Sequence, residues 1–191
     1  MKDDNIDTRP YELNVLRAVF DRDLARRLVG GSTPATSEHF GNEDTLAVWR
    51  AFRKLHFSAP DAGAGKRAHD TAIAAGGLSY HVCSKERNPN RSVSIRVPDS
   101  ALSEQREGDV HFVICDDICD GGRTFLEIGR QFAPKGSSLV VTHGLFSDRT
   151  RFLEMCGIFH SIYTTSSVGM VPSDMVVEAS ARGCNFKQVM I

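Results

Sequence analysis

Residues 112–124 constrain this chain more than any other stretch. Phe112, Val113, Ile114 and Cys115 form an apolar run that reads as a buried strand. It ends in Asp116 and Asp117, and a third acid follows at Asp120. Gly121-Gly122-Arg123-Thr124 then leads into a helix-like segment from Phe125 to Phe132. A strand feeding a helix through an acidic, glycine-rich turn belongs to a parallel sheet. The same turn suits a sugar phosphate. Its acids accept hydrogen bonds from ribose hydroxyls, and its glycines let backbone N–H groups converge on a phosphate at the positive end of a helix. Crowded carboxylates repel each other unless a cation or hydroxyl donors join them. A solvated acidic turn capping a helix would explain the acids, but not the glycines and Thr124.

The rest of the chain supplies the sheet. Leu13, Leu16, Val19, Phe20, Leu24 and Leu28 recur at helical spacing, and Pro10 suits a helix start. Gly30 to Pro34 breaks that helix, and residues 30–42 read as a loop. Leu46, Ala47, Trp49 and Phe52 mark a second helix over 43–54, and Leu55–Ala59 is a strand stopped by Pro60. A helix is expected from Gly65 to Ala75, a strand over Ser79–Cys83, and a polar insert over Ser84–Gly108 with a hairpin-like Arg91–Val97. Strands Val110–Cys115, Ser138–Thr142 and Ile158–Thr164 alternate with helices, the second being Arg149–Cys156. Met175–Val177 and Phe186–Ile191 carry weaker strand signals. This alternation predicts an α/β domain over 55–191, a mostly parallel sheet with helices on both faces, preceded by a small helical segment over 1–54. Ligands of such sheets sit outside the C-terminal ends of the strands, where Asp61, Asp116 and His143 are expected.

Composition excludes several classes. A net charge of −1 gives no global pull towards nucleic acid or anionic membrane. The five cysteines are odd in number and scattered, which favours a reducing compartment over a disulfide framework. No run approaches the ~20 apolar residues of a membrane span. Met1-Lys2-Asp3-Asp4 is polar and acidic, unlike a signal peptide, so a cytoplasmic location is expected. The seven histidines lack zinc-binding spacing. Mg²⁺ is the expected metal, held by Asp116 or Asp117 and by substrate oxygens.

Asp116-Asp117-Ile118-Cys119-Asp120-Gly121-Gly122-Arg123-Thr124 resembles the loop of type I phosphoribosyltransferases and PRPP synthetases that holds 5-phosphoribosyl-1-pyrophosphate (PRPP). Arg123 replaces a usual glycine, so its side chain either points out of the loop or adds a cation near the phosphate. Pro60-Asp61-Ala62-Gly63-Ala64-Gly65-Lys66-Arg67-Ala68 resembles the pyrophosphate-side loop of the C-terminal domain of ribose-phosphate pyrophosphokinase. Lys85-Glu86-Arg87 resembles the start of that family's mobile catalytic loop, whose cations stabilise charge on moving phosphoryl groups. Thr142–Phe146 and Tyr163–Ser167 complete the likeness. His143 reads as a packing residue, while Thr164, Thr165 and Ser166 bond either to each other or to ligand.

The resemblance implies roles. Asp116, Asp117, Asp120, Gly121, Gly122, Arg123 and Thr124 would hold ribose phosphate. Asp61, Ala62, Gly63, Lys66 and Arg67 would meet pyrophosphate, and Lys85, Arg87 and Asp120 would act in catalysis. The family's complete enzymes carry an N-terminal domain with a metal-binding histidine, whereas only about 58 residues precede Pro60 here. Arg9-Pro10-Tyr11-Glu12 is where that stretch would align, without the histidine. Three functions stay open. The first is PRPP-synthetase-like pyrophosphoryl transfer from ATP to ribose 5-phosphate, in nucleotide biosynthesis, with the nucleotide half supplied by a partner chain or a second copy in a homodimer or higher oligomer. The second is a phosphoribosyltransferase using PRPP as donor, with residues 1–54 as its hood. The third is a non-catalytic subunit that binds PRPP or ribose phosphate.

Overall fold

β1 (Leu55–Ala59) and β5 (His111–Cys119) lie side by side in a parallel sheet. The computed structural model describes residues 55–74, 79–87, 93–107 and 110–190. The expected helices over 11–29 and 43–54 lie outside the described residues.

The chain order is β1, a 3₁₀ turn (Ala62–Ala64), α1 (Gly65–Ala74), β2 (Tyr80–Val82), β3 (Ser84–Arg87), β4 (Val93–Arg96), α2 (Asp99–Glu107), β5, α3 (Arg123–Gly129), β6 (Ser137–Gly144), α4 (Arg149–Ile158), β7 (Ser161–Thr165), α5 (Ser173–Ala181) and β8 (Asn185–Val189). Six strands form one sheet in the order β2-β1-β5-β6-β7-β8, all neighbours parallel. β3 and β4 form a separate antiparallel ribbon.

Strand order dictates where the helices go. The step from β1 to β2 runs towards one edge, and the steps from β5 through β8 run towards the other. Right-handed crossovers therefore put α1 on one face and α3, α4 and α5 on the opposite face. Ala64 of the 3₁₀ turn and Ala68 of α1 pack closely onto Ala59. Phe112, Ile114, Leu139 and Ile162 join Phe125, Phe152, Met155 and Met175 in the larger core. Burying that many large side chains, each worth roughly 1.5–3 kcal/mol, supplies most of the driving force. All five cysteines are buried thiols, and burial pushes the Cys119 thiol up to about 12. Among the described residues no helix is long and apolar enough to cross a membrane.

Three elements depart from the sequence reading. β5 continues to Cys119, because Asp116, Ile118 and Cys119 still pair with Val141, His143 and Gly144 of β6. The polar insert contains α2, entered at Pro98, whose carbonyl accepts from the Leu102 amide. Met175–Val177 is not a strand but lies inside α5, with Met175 and Ala179 buried and Val177 68% exposed. Burial four residues apart with exposure between is the helical period.

Candidate functional site

The order of the sheet reverses between β1 and β5, and the C-terminal ends of those strands flank the switch point. β1 pairs with β5 only as far as Ser58 and Ile114, so β5 outruns it by several residues. Asp116 and Asp117 stand on this overhang, inside the strand rather than after it. The loop after β1 faces them across the gap.

The two loops meet through charge. Arg67 Nη1, on α1, lies 3.7 Å from Asp116 Oδ1 and 3.6 Å from Asp117 Oδ1. One guanidinium thus serves both carboxylates, half-exposed. The acids differ sharply. Burial, together with the negative charges of Asp117 and Asp61, pushes the Asp116 carboxyl up to about 6, although the Asp117 amide donates to it at 2.8 Å. Asp117 loses some hydration, but its hydrogen bond with Asp116 and the Arg67 cation outweigh that and hold its carboxyl below the usual range. The pair accordingly takes up one proton well before the other.

Asp61 opens the facing loop and caps the 3₁₀ turn. Its Oδ1 accepts from the Gly63 amide at 2.9 Å and the Ala64 amide at 3.3 Å. The Gly63 amide, on the expected pyrophosphate side, is already engaged by this side chain. Asp61 Oδ2 also lies 3.3 Å from Lys85 Nζ on β3. Lys66 is exposed at the start of α1. The ribbon that carries Lys85 is tied to the body by Gln131, which accepts from the Val97 amide at 2.9 Å and donates to the Ile95 carbonyl at 2.8 Å. Arg87 ends β3, and its side chain lies outside the described part of the structure.

Asp120 and Gly121 form the exposed turn after β5. Gly122, the N-cap of α3, sits at φ 74°, and no side chain caps the helix there. A Cβ at Gly122 would stand 2.9 Å from Met155 Cε. Gly122→Ala should therefore lower stability by about 1–2 kcal/mol, the cost of a left-handed backbone, with Met155 shifting aside. Urea unfolding would show a lower midpoint at unchanged slope. Arg123 lies back along α3, with Nε 3.2 Å from Glu127 Oε1, so it points out of the loop. Thr124 lies partly buried in the first turn of α3.

Sequence reading passed over Arg151 of α4. Its Nη1 donates to the Gly121 carbonyl at 3.3 Å and lies 3.2 Å from Asp148 Oδ2, bracing the glycine turn from behind. At the neighbouring strand ends the Thr165 hydroxyl donates to the Thr142 carbonyl at 2.7 Å and receives the Ser167 amide at 3.2 Å. His143 Nδ1 contacts Ser167 Oγ at 2.7 Å. These hydroxyls bond among themselves, and His143, the penultimate residue of β6, supports that network at the strand's C-terminal end.

No family model matches the chain. The ribose-phosphate pyrophosphokinase of Ureaplasma parvum serovar 3 is 33% identical over 119 residues, an alignment covering 55% of this chain and 34% of that protein. The chain thus spans about a third of the length of the curated relative it matches. The crystal structure of phosphoribosylpyrophosphate synthetase from Mycobacterium smegmatis superposes with a TM-score of 0.50 at 20% identity, over 72% of this chain and 41% of that one. The chain is similar in sequence to part of a ribose-phosphate pyrophosphokinase, and its mostly parallel α/β fold matches that of a PRPP synthetase.

Proposed function

We propose that this domain binds ribose 5-phosphate and serves PRPP-synthetase-like pyrophosphoryl transfer from ATP, with the nucleotide half of the site supplied by a second copy or a partner chain. The observation that carries the reading is the Asp116–Thr124 loop at the switch point, faced by Asp61, Arg67 and Lys85. Similarity to a pyrophosphokinase over 55% of the chain supports it.

Each group has work suited to its chemistry. The Gly121–Thr124 turn would take the 5-phosphate on its backbone amides and the Thr124 hydroxyl. Asp116, Asp117 and Asp120 would accept from the ribose hydroxyls. In the transfer, the 1-hydroxyl oxygen of the sugar attacks the β-phosphorus of ATP, the bond to the α–β bridging oxygen breaks, AMP departs and the hydroxyl proton is released. Lys85 and Arg87 would stabilise the negative charge that shifts onto the departing oxygen. Arg67 and Lys66 would neutralise the incoming pyrophosphate.

Asp116 and Asp117 also fit a magnesium ion. They offer hard oxygen donors, and the burial and like-charge crowding that raise the Asp116 carboxyl to about 6 are what a divalent cation would offset. Bound there, Mg²⁺ would supply charge neutralisation of the phosphoryl oxygens.

The test incubates the full chain with ribose 5-phosphate, ATP and Mg²⁺, and separately with PRPP and a panel of bases. AMP release is the expected result. Pyrophosphate release in the second mixture would instead mark a phosphoribosyltransferase. Tight ribose 5-phosphate binding with neither product would limit this chain to holding the sugar phosphate, with turnover absent or left to a partner chain, and no binding of either sugar phosphate would overturn the pocket.

A further inference from the structure

His56, His81 and Glu104 come from three elements, β1, β2 and α2, and their ligand atoms lie within 4.8 Å of one another. Glu104 Oε2 stands 2.6 Å from His56 Nδ1 and 2.9 Å from His81 Nε2. Ser79 Oγ approaches the same His56 nitrogen at 2.9 Å. None of these residues belongs to the phosphoribosyl pocket. His56 is the second residue of β1, whereas Asp61 lies beyond the strand's far end.

We propose that His56, His81 and Glu104 form a zinc-type divalent metal site that clasps the β2 edge of the sheet to α2. The donor set comes first. Two imidazoles and one carboxylate are borderline ligands that suit zinc, and three protein ligands leave a position for water or the Ser79 hydroxyl. The oxygen-only pair at Asp116 and Asp117 suits magnesium instead, so the two sites would select different ions.

Distance comes second. Ligands ~2.0–2.1 Å from a tetrahedral ion stand ~3.4 Å from one another. The two Glu104 contacts at 2.6 and 2.9 Å would open by about 0.8 and 0.5 Å, within the reach of side-chain rotation.

Proton counting comes third. His56 Nδ1 carries either a hydrogen or a lone pair, yet it faces both a carboxylate oxygen and a hydroxyl. With the hydrogen, it must divide one N–H between two acceptors. With the lone pair, it meets the Glu104 oxygen as acceptor against acceptor. A cation between the lone pairs satisfies His56, His81 and Glu104 together, and its binding would release protons.

The surroundings supply a floor and an entrance. The histidine side chains are 16% and 11% exposed and Glu104 is 36% exposed, so an ion enters from the carboxylate side. The edge of Phe112 packs against the His56 ring at 5.6 Å, and its tilted ring lies 5.7 Å from His81, giving an apolar backing that limits water. β2 is a three-residue edge strand that pairs with β1 and packs Val82 against the cluster that includes Ala68 of α1, and the clasp would also fix it to α2. The ligands lie 25 and 23 positions apart in sequence, so local histidine spacing could not reveal them.

The experiment uses the untagged full chain, stripped with chelator and dialysed, then titrated with Zn²⁺ and, as a spectroscopic probe, Co²⁺. One equivalent of Zn²⁺ should bind and raise the melting temperature. The Co²⁺ complex should show tetrahedral ligand-field bands without thiolate charge-transfer absorption. Glu104→Gln, which keeps the shape, and His81→Ala should each weaken binding by at least tenfold. Failure to bind one equivalent, a thiolate band, or unchanged affinity in Glu104→Gln would overturn the site. If His81→Ala does not fold, the wild-type Co²⁺ spectrum and the Glu104→Gln affinity decide the matter.

Discussion

Asp116→Asn should make the ligand-free protein more stable above pH 6 while removing most of its Mg²⁺-dependent affinity for ribose 5-phosphate. The two effects share one cause. Asp116 is desolvated and crowded by the charges of Asp117 and Asp61, so its carboxyl rises from an ordinary 3.8 to about 6. A carboxyl whose folded-state value is raised contributes stability below the unfolded value, and that contribution is lost as pH rises through the folded one. The loss spans the window from about pH 4 to just above pH 6 and amounts to about 3 kcal/mol for ~2 units. Asparagine removes the charge and can still accept from the Asp117 amide, which donates to Asp116 at 2.8 Å. The variant should match the wild type near pH 4 and exceed it by up to about 3 kcal/mol at pH 8. Urea unfolding at both pH values measures this. A variant less stable at pH 8, or a difference that ignores pH, would show that Asp116 is not held at a cost. The same charge is what a cation and the sugar hydroxyls would use. Hydrogen bonds to a charged group contribute about 1.5–3 kcal/mol each, so the affinity should fall on the order of tenfold to a hundredfold. Unchanged calorimetric affinity would remove Asp116 from the pocket.

Local chemistry made the central strand legible, and long-range geometry hid the rest. Phe112–Cys115 could only be a buried strand, and the glycine turn after it announced a helix. That β5 runs on through Asp116 and Asp117 was not readable, because β6 provides the pairing that keeps two acids in a strand. α2 was hidden by polarity. It buries Ala101 fully and Leu102 only in part, and sends Glu104 to two histidines, too little apolar surface to register as a periodic face. Met175–Val177 misled in the opposite direction, since three adjacent apolar residues imitate a strand when one of them is simply exposed. The candidate site shows the same division. The residue types of both loops were plain, but the sharing of Arg67 between Asp116 and Asp117 depends on α1 lying across the switch point. The engagement of the Gly63 and Ala64 amides by Asp61 is likewise a matter of turn geometry.

Lys85→Ala should lower the rate of AMP release by about 10²–10³-fold while leaving ribose 5-phosphate affinity within a few-fold, the signature of a group that acts on charge developing in the transition state. The structure explains why little else should change. Lys85 Nζ rests 3.3 Å from Asp61 Oδ2, and both side chains are about a third exposed, so the ion pair contributes at most ~1 kcal/mol. Its register in the ribbon, opposite Ile95, is fixed by the backbone and by Gln131 and does not need the ammonium. Urea stability should therefore move by no more than about 1 kcal/mol. Asp61 would act as a resting place that the lysine leaves when a polyphosphate offers more negative charge. Asp61→Asn separates the two jobs of this carboxylate, because the amide oxygen can still cap Gly63 and Ala64 while no longer holding Lys85 by charge. It should retain far more turnover than Lys85→Ala. A Lys85→Ala variant with wild-type turnover, or one in which affinity and rate fall together, would place this lysine outside the chemistry and leave β3 as a merely structural strand.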